Sequence, residues 1–269
     1  LMLLWCSCFT YGERDAAPIE FRFALTGNTF AESPFRGKNG ALDDLIKKIN
    51  DDNPLFLVHV GDIIHGGKKW MGISTEDMER QFRDVKIQFA LLNPLFFTVK
   101  GEKDMLDASY DHYTRHTGRK QYYSFNYGAA HCIILDTCED GHPHISSSQI
   151  EWLKRDLSRH RHSQVILIFS HYPLYHPEIA KTADKNDFIP EKQSNELHSL
   201  FTKYPVKAVF SGHHHTYSSA RKDAIYYITA GCDFSAVRSI PHQKSKGAVH
   251  YYIVDYRSGD ITILPKTLE

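Results

Sequence analysis

The chain has 269 residues, and its 32 Lys and Arg balance 32 Asp and Glu to a formal net charge of zero. Hydrophobic residues make up 42% and charged residues 24%, which excludes collagen-like, low-complexity and disordered chains. The balanced charge excludes a nucleic-acid binder that works through bulk positive charge, and leaves 17 histidines as the unusual count.

The first ten residues, LMLLWCSCFT, are apolar, uncharged and too few to span a bilayer as a helix. They read as the apolar end of a secretory signal with small residues near Thr10 and Gly12, so residues 1–12 are expected to be a signal remnant on an exported protein. A buried first strand is the alternative, and a lipid anchor on Cys6 or Cys8 fits poorly beside Trp5. No later stretch is apolar enough to cross a membrane. Cys132 reads as a core residue, Cys138 and Cys232 are free to pair or not, and no CxxC suggests structural zinc.

From there, short apolar runs alternate with helical patterns. FRFALTG (21–27) reads as a strand, and Leu42, Leu45, Ile46 and Ile49 at helical spacing as the helix after it. LFLVHV (55–60) is a continuous apolar run, expected of a strand covered on both faces. Ser74 caps a helix with the stripe Met78, Phe82, Val85, Phe89 and Leu92, which Pro94 ends before the strand LFFTV (95–99). A loop rich in Tyr and His leads to YYSFNYG and AHCIILDT, with Asn-Tyr-Gly as a hairpin turn.

Ser148 with Glu151 reads as a capping box for a helix carrying Ile150, Leu153 and Leu157. QVILIFS (164–170) is the most apolar strand. A polar loop (177–190), a helix near Glu196 to Phe201, and the strand VKAVFSG (206–212) follow. AIYYITA (224–230), AVHYYIVDY (248–256) and DITILP (260–265) close the chain as strands. With no repeat and no linker, residues 20–269 read as one domain of two packed sheets flanked by helices.

Polar clusters stand just past five of these strands, where α/β sheets bind ligands. They are Asn28, Gly61-Asp62, Gly101-Glu102-Lys103-Asp104, His171, and Gly212-His213-His214-His215. Their order and spacing resemble the calcineurin-like metallophosphoesterases, which include purple acid phosphatase-like enzymes. That family carries D-x-H, G-D-x-x-D, G-N-H-D/E, a lone His and G-H-x-H at successive strand ends. The counterparts here read GNTF (27–30), GDIIH (61–65), GEKD (101–104), SHYP (170–173) and GHHH (212–215). The resemblance runs from about residue 20 to the C-terminus and implies a four-layer α/β/β/α sandwich.

It also implies a chemistry: two divalent cations bridged by a carboxylate, which polarise a phosphate and generate a hydroxide near neutral pH. Asp62 matches the bridging carboxylate, and His171, His213 and His215 match three histidine ligands. Asn28 and Phe30 stand where the family has Asp and His. Glu102 and Lys103 stand where it has Asn and His, and His65 where it has the second Asp of GDxxD. The first metal would keep only Asp62 and His215. The second would keep Asp62, His171 and His213, with Glu102 as a fourth ligand, so one divalent ion (Fe, Mn or Zn) is expected at most.

An ammonium from Lys103 beside Asp62 and Glu102 balances their charge in its own right, so a salt bridge is the first expectation there. Asn28 is expected as a turn residue, His65 as a solvated loop histidine, and His214 as a spacer. Asp140-Gly141-His142 spells D-x-H after the wrong strand and reads as a decoy. Tyr172, Tyr175, His176 and Tyr217 are placed at the rim, and the thirteen histidines other than His65, His171, His213 and His215 read as ordinary surface or packing residues. The expected function is a pseudo-phosphoesterase that binds a phosphate-containing small molecule or a protein partner, with a mononuclear phosphoesterase as the alternative.

Overall fold

The computed structural model describes residues 20–30, 40–175, 187–215, 217–230, 232 and 250–268. The leader-like residues, Cys6, Cys8, His176 and most of the polar loop lie outside them.

The apolar runs form two sheets. The first has the order β11-β10-β1-β2-β3. Its strands are β1 (Glu20–Thr26), β2 (Phe56–His59), β3 (Leu95–Thr98), β10 (Tyr251–Arg257) and β11 (Asp260–Lys266). The second has the order β4-β5-β6-β7-β9-β8. Its strands are β4 (Tyr123–Tyr127), β5 (Ala130–Ile134), β6 (Val165–Phe169), β7 (Val206–Ser211), β8 (Ser218–Lys222) and β9 (Ile225–Thr229). Strands β1, β2 and β3 run parallel to one another, as do β5, β6, β7 and β9, while β10, β11, β4 and β8 pair antiparallel. The carboxyl ends of the parallel strands therefore gather at one edge of each sheet.

Aromatic rings join the sheets face to face. Phe23 of β1 stacks on Phe56 of β2 at 5.0 Å and meets Phe169 of β6 and Phe210 of β7 edge-on at 5.8 and 5.6 Å. Edge-to-face contacts of this kind add about 0.5–1.5 kcal/mol beyond burial. Helix α1 (Gly40–Asp52) buries Leu42, Leu45, Ile46 and Ile49, the stripe read from its spacing. Helix α2 (Thr75–Phe89) buries Met78, Phe82 and Phe89, and its Ser74 forms a capping box with Asp77. Helices α4 (Ser147–Arg159) and α5 (Glu191–Phe201) pack Leu153, Leu157, Leu197 and Phe201 against Ile133, Ile166, Ile168 and Val209, which point away from the inter-sheet core. The sandwich expected from the sequence is the one observed.

Several local readings need correction. The cap of α4 is Ser146, whose side chain accepts from the Gln149 N–H, so the box read at Ser148 lies two residues late. The hairpin turns at Gly128 and Ala129 rather than at Asn126, because Gly128 takes the left-handed φ of 56° the turn requires. The Tyr- and His-rich loop contains the short helix α3 (Asp111–Thr117). The polar segment before β9 is its antiparallel partner β8. Cys132, Cys138 and Cys232 are buried free thiols, so Cys138 and Cys232 do not pair. Among the described residues no helix is long and apolar enough to cross a membrane.

Candidate functional site

The strand ends bring the polar clusters together through an unusual backbone. Asn28, Asp62 and His213 all take left-handed φ angles, of 54°, 59° and 65°. Asn, Asp and His tolerate this region better than most side chains, and such residues collect at functional sites. Gly61 and Gly101 permit the close approach of the loops. A Cβ on Gly61 would stand 2.3 Å from His171 Nδ1, and one on Gly101 would stand 2.2 Å from Asp62 Oδ1.

Asp104 is the buried keystone of this backbone. Its carboxylate accepts N–H bonds from Asp62 (3.0 Å), Ile63 (2.8 Å), Ile64 (3.2 Å) and Gly101 (2.8 Å), which ties the GDIIH loop to the GEKD loop. Burial and the neighbouring Asp62 charge push its pKa up to about 7, while the backbone donors favour its ionised form. Beneath the other loop, His59 accepts from the Gly61 N–H at 3.2 Å, and its second nitrogen meets Thr29 Oγ1 at 2.9 Å. Burial and the nearby His171 lower its pKa to about 3, so this imidazole is neutral.

One half of the site is a converging ligand set. His171 is fully buried, and its Nδ1–H donates to the Val60 carbonyl at 2.7 Å, which leaves Nε2 facing Glu102 Oε2 at 2.5 Å. A backbone carbonyl that fixes one imidazole nitrogen presents the other as a ligand. His213 Nδ1 stands 3.3 Å from the same Glu102 oxygen, and His171 Nε2 stands 3.5 Å from Asp62 Oδ1. Glu102, His171 and His213 bring one ligand atom each within 4.8 Å of one another. That donor set, with Asp62 beside it, fits a divalent transition metal.

The electrostatics agree. Burial opposes charge on His171, but Asp62 and Glu102 outweigh it and raise its pKa to about 9. Burial likewise opposes charge on Glu102, and His171 with His213 hold it well below the usual carboxylate range. A site that draws an imidazole this strongly toward the cationic form is a site for positive charge.

The other half is built differently. The Lys103 ammonium lies 3.3 Å from Asp62 Oδ2 and 3.1 Å from Glu102 Oε1, and 4.9 Å from the centre of the Phe30 ring. This is the salt bridge expected from the sequence, with a cation–π contact added. Burial disfavours the ammonium, and the two carboxylates more than compensate, so its pKa is raised. His65 and His215 both meet Phe30 edge-on, at 6.1 and 6.2 Å. His65 is therefore partly buried against a ring and not a solvated loop residue. Asn28 is fully buried, and its side-chain amide donates to the Cys232 carbonyl at 3.4 Å, a structural use of the turn position. The geometry brings Asp62, Glu102, His171 and His213 together, and it sets His215 against Phe30 instead.

The rim differs from the reading of the sequence. Tyr172 packs its ring 4.3 Å from His213. Tyr175 instead meets Tyr227 edge-on, and Tyr217 stacks on Tyr252. His214 lies on Phe188 at 4.7 Å, so it packs against the loop before α5 rather than serving as an idle spacer. The decoy at Asp140 is a local turn closed by the His142 N–H at 3.3 Å.

Two features escaped the sequence. Asp187 lies 3.5 Å from His213 Nε2, brought there only by the tertiary fold. Lys100 is entirely buried with its ammonium 2.9 Å from Asp136 Oδ2, and it donates to the Cys138 carbonyl at 3.1 Å. Its position after β3 was the available signal, since a lysine there can be satisfied only by an internal acid.

Parallel strands in two packed sheets, with carboxylates and imidazoles converging at their carboxyl ends, define a metal-dependent hydrolase class. The calcineurin-like phosphoesterase family matches residues 32–217. The chain is 30% identical over 235 residues to the serine/threonine-protein phosphatase CPPED1 of Pongo abelii, covering 78% of this chain and 71% of that protein. It belongs to the calcineurin-like phosphoesterase family. In fold it is similar to a dimetal phosphatase from Danio rerio, with TM-score 0.65 and 15% identity, covering 92% of this chain and 99% of that one. It is also similar to GAP50, the anchor in the inner membrane complex of Plasmodium, with TM-score 0.57 and 17% identity, covering 93% and 85%.

Proposed function

We propose that this protein is a phosphoesterase-fold binding protein in which the Lys103 ammonium stands in for one of the family's two cations. The observation that carries this reading is the ammonium's position, between the Asp62 and Glu102 carboxylates and over Phe30. A divalent ion at that place would meet like charge and an aromatic ring that cannot coordinate it. At the second position, Glu102, His171, His213 and Asp62 would hold one divalent metal, which would supply Lewis acidity and a fixed positive charge.

Lys103 then serves as a permanent second cation. It binds and orients phosphate oxygens, while Tyr172 covers the His171 and His213 side of the site. Ammonium does not lower the pKa of a water molecule as a metal does, so ordinary two-metal hydrolysis is absent or very slow. With zero net charge on the chain, phosphate affinity comes from this local site alone. The anchor named among the similar structures is a use of this fold other than hydrolysis; the partner proposed here is a phosphorylated small molecule or a protein.

Metal analysis of the purified protein tests the reading, together with assays on p-nitrophenyl phosphate and bis-p-nitrophenyl phosphate in the presence of manganese. At most one metal per chain and turnover at background are expected, with inorganic phosphate binding that weakens in Lys103→Met. The convergence of Glu102, His171 and His213 favours a second reading, a mononuclear phosphoesterase. Strong turnover abolished by His213→Ala would establish that reading and overturn the first.

A further inference from the structure

We propose that Glu79, His112 and His116 form a second, separate metal site that takes zinc or a similar transition ion. His112 and His116 are four residues apart on α3, so their side chains share one face of that helix. Glu79 faces them from α2. His112 Nδ1 lies 2.9 Å from Glu79 Oε1, and His116 Nε2 lies 2.5 Å from Glu79 Oε2. The three ligand atoms all fall within 4.8 Å of one another.

Zinc binds imidazole nitrogen and carboxylate oxygen at about 2.0–2.2 Å, which puts neighbouring ligand atoms about 3.3 Å apart on a tetrahedron. The hydrogen-bonded spacings here open to that value by small side-chain rotations. Each neutral imidazole binds through the nitrogen that now faces Glu79, with its proton carried on the other ring nitrogen. Two imidazoles and one carboxylate select a nitrogen-preferring metal over magnesium or calcium.

The surroundings hold the ligands in place. Phe82 stacks on His116 at 5.3 Å and 4°, and Arg115 Nη1 donates to Glu79 Oε1 at 2.6 Å, which fixes both rotamers. Arg115 also places a positive charge beside the carboxylate, so the affinity is lower than that of a four-ligand structural site. The fourth position falls to water or an exchangeable ligand, since the set supplies three protein atoms.

Such a metal ties α2 to α3. Two residues along α2 from Glu79, Gln81 Oε1 accepts the Gly66 N–H at 3.0 Å and so steadies the end of the GDIIH loop. Helix α3 closes the segment that begins with Glu102 and Lys103. The staple is thus a positioning and stabilising device, distinct from the strand-end cluster.

The test uses the full chain carrying His213→Ala and His160→Gln, which disable the strand-end cluster and the His131–Asp156–His160 group. Titration with cobalt is expected to give the visible bands of a four-coordinate ion at one equivalent. Zinc in slight excess is expected to raise the melting temperature by several degrees. Adding His116→Gln keeps a hydrogen-bond donor for Glu79 but offers a poor ligand, so it is expected to abolish both signals while the metal-free melting temperature stays close to that of the parent. Cobalt bands that persist unchanged in His116→Gln, or zinc that leaves the parent unshifted, would overturn the proposal. Neither result touches the reading of the strand-end site.

Discussion

On one side of Asp62, the Glu102, His171 and His213 side chains bring three metal-ligand atoms within 4.8 Å. On the other side, the same carboxylate is met by the Lys103 ammonium at 3.3 Å, with Phe30 lying under that ammonium and against His65 and His215. Both halves rest on one backbone: Gly61, Gly101 and the left-handed Asn28, Asp62 and His213. Backbone geometry and metal chemistry are therefore separable at this site. Strand ends, glycines and the Asp104 carboxylate build the cradle, and in the proposed reading the side chains of Asn28, Phe30, Glu102 and Lys103 set how many cations it holds.

The strongest way to break this comparison is to give the lysine half the family's pattern. Asn28→Asp, Phe30→His, Glu102→Asn and Lys103→His together are expected to raise metal content from at most one to two ions per chain. Turnover of bis-p-nitrophenyl phosphate is expected to rise by about a hundredfold, the order of loss that changes around metal ligands cause. A folded quadruple variant that still holds no more than one ion would mean the cradle itself differs, and the separation of backbone from chemistry would fail.

The next largest effect belongs to the part both halves share. Asp104→Ala leaves four buried N–H groups, those of Asp62, Ile63, Ile64 and Gly101, without their acceptor. At about 1–3 kcal/mol for each unsatisfied buried group, with partial relief by water, the loss is about 4 kcal/mol. Denaturant unfolding measures it. Metal binding at Glu102–His171–His213 is expected to vanish in the same variant, because Glu102 and Asp62 lose their common support. Stability within experimental error of the parent would show that the two loops do not depend on this keystone.

Much of this was legible in the sequence. The strand-end clusters announce themselves because a parallel sheet places its ligands there, and the family resemblance that sets Lys103 beside Asp62 and Glu102 foretells their ion pair. Other features depend on distance in the fold. The Lys100–Asp136 pair spans two strands in different sheets. Asp187 reaches His213 from the loop before α5, and no periodicity marks such a meeting. Helix α3 has only seven residues, too few for an apolar stripe, so His112 and His116 read as scattered histidines until Glu79 is seen opposite them. Strand β8 is short, polar and at a sheet edge, where alternation is weak.

Protonation sharpens the comparison from below. His59 lies under the Asn28 side of the cradle with its folded pKa lowered to about 3, against about 6.5 when unfolded. A lowered histidine pKa means the unfolded chain binds more protons between those values. The stabilisation is complete above the unfolded pKa and is lost as pH falls toward the folded one. Between about pH 7.5 and about pH 5 this group alone removes about 2 kcal/mol of stability. In His59→Gln, whose amide can still accept from Gly61 and donate to Thr29, the pH slope is expected to flatten by that amount. An unchanged slope would assign acid sensitivity to other groups and leave this floor without a role in it.

The smallest expected effect separates the halves most directly. Lys103→Met removes the ammonium while keeping an apolar stem over Phe30. Without metal, Asp62 and Glu102 lose the cation they share, and because the Lys103 side chain is 33% exposed, solvent screening limits the cost to about 1 kcal/mol. With metal the sign reverses. The divalent ion no longer competes with a fixed positive charge beside two of its carboxylates, and its affinity is expected to rise about tenfold, which is about 1.4 kcal/mol. Calorimetric titration with manganese or zinc reads that change, and unfolding with and without metal reads the crossover. An affinity that falls, or stays level, would mean that Lys103 and the metal do not compete for the same charge, and that the ammonium belongs to the lysine half as a structural pin alone.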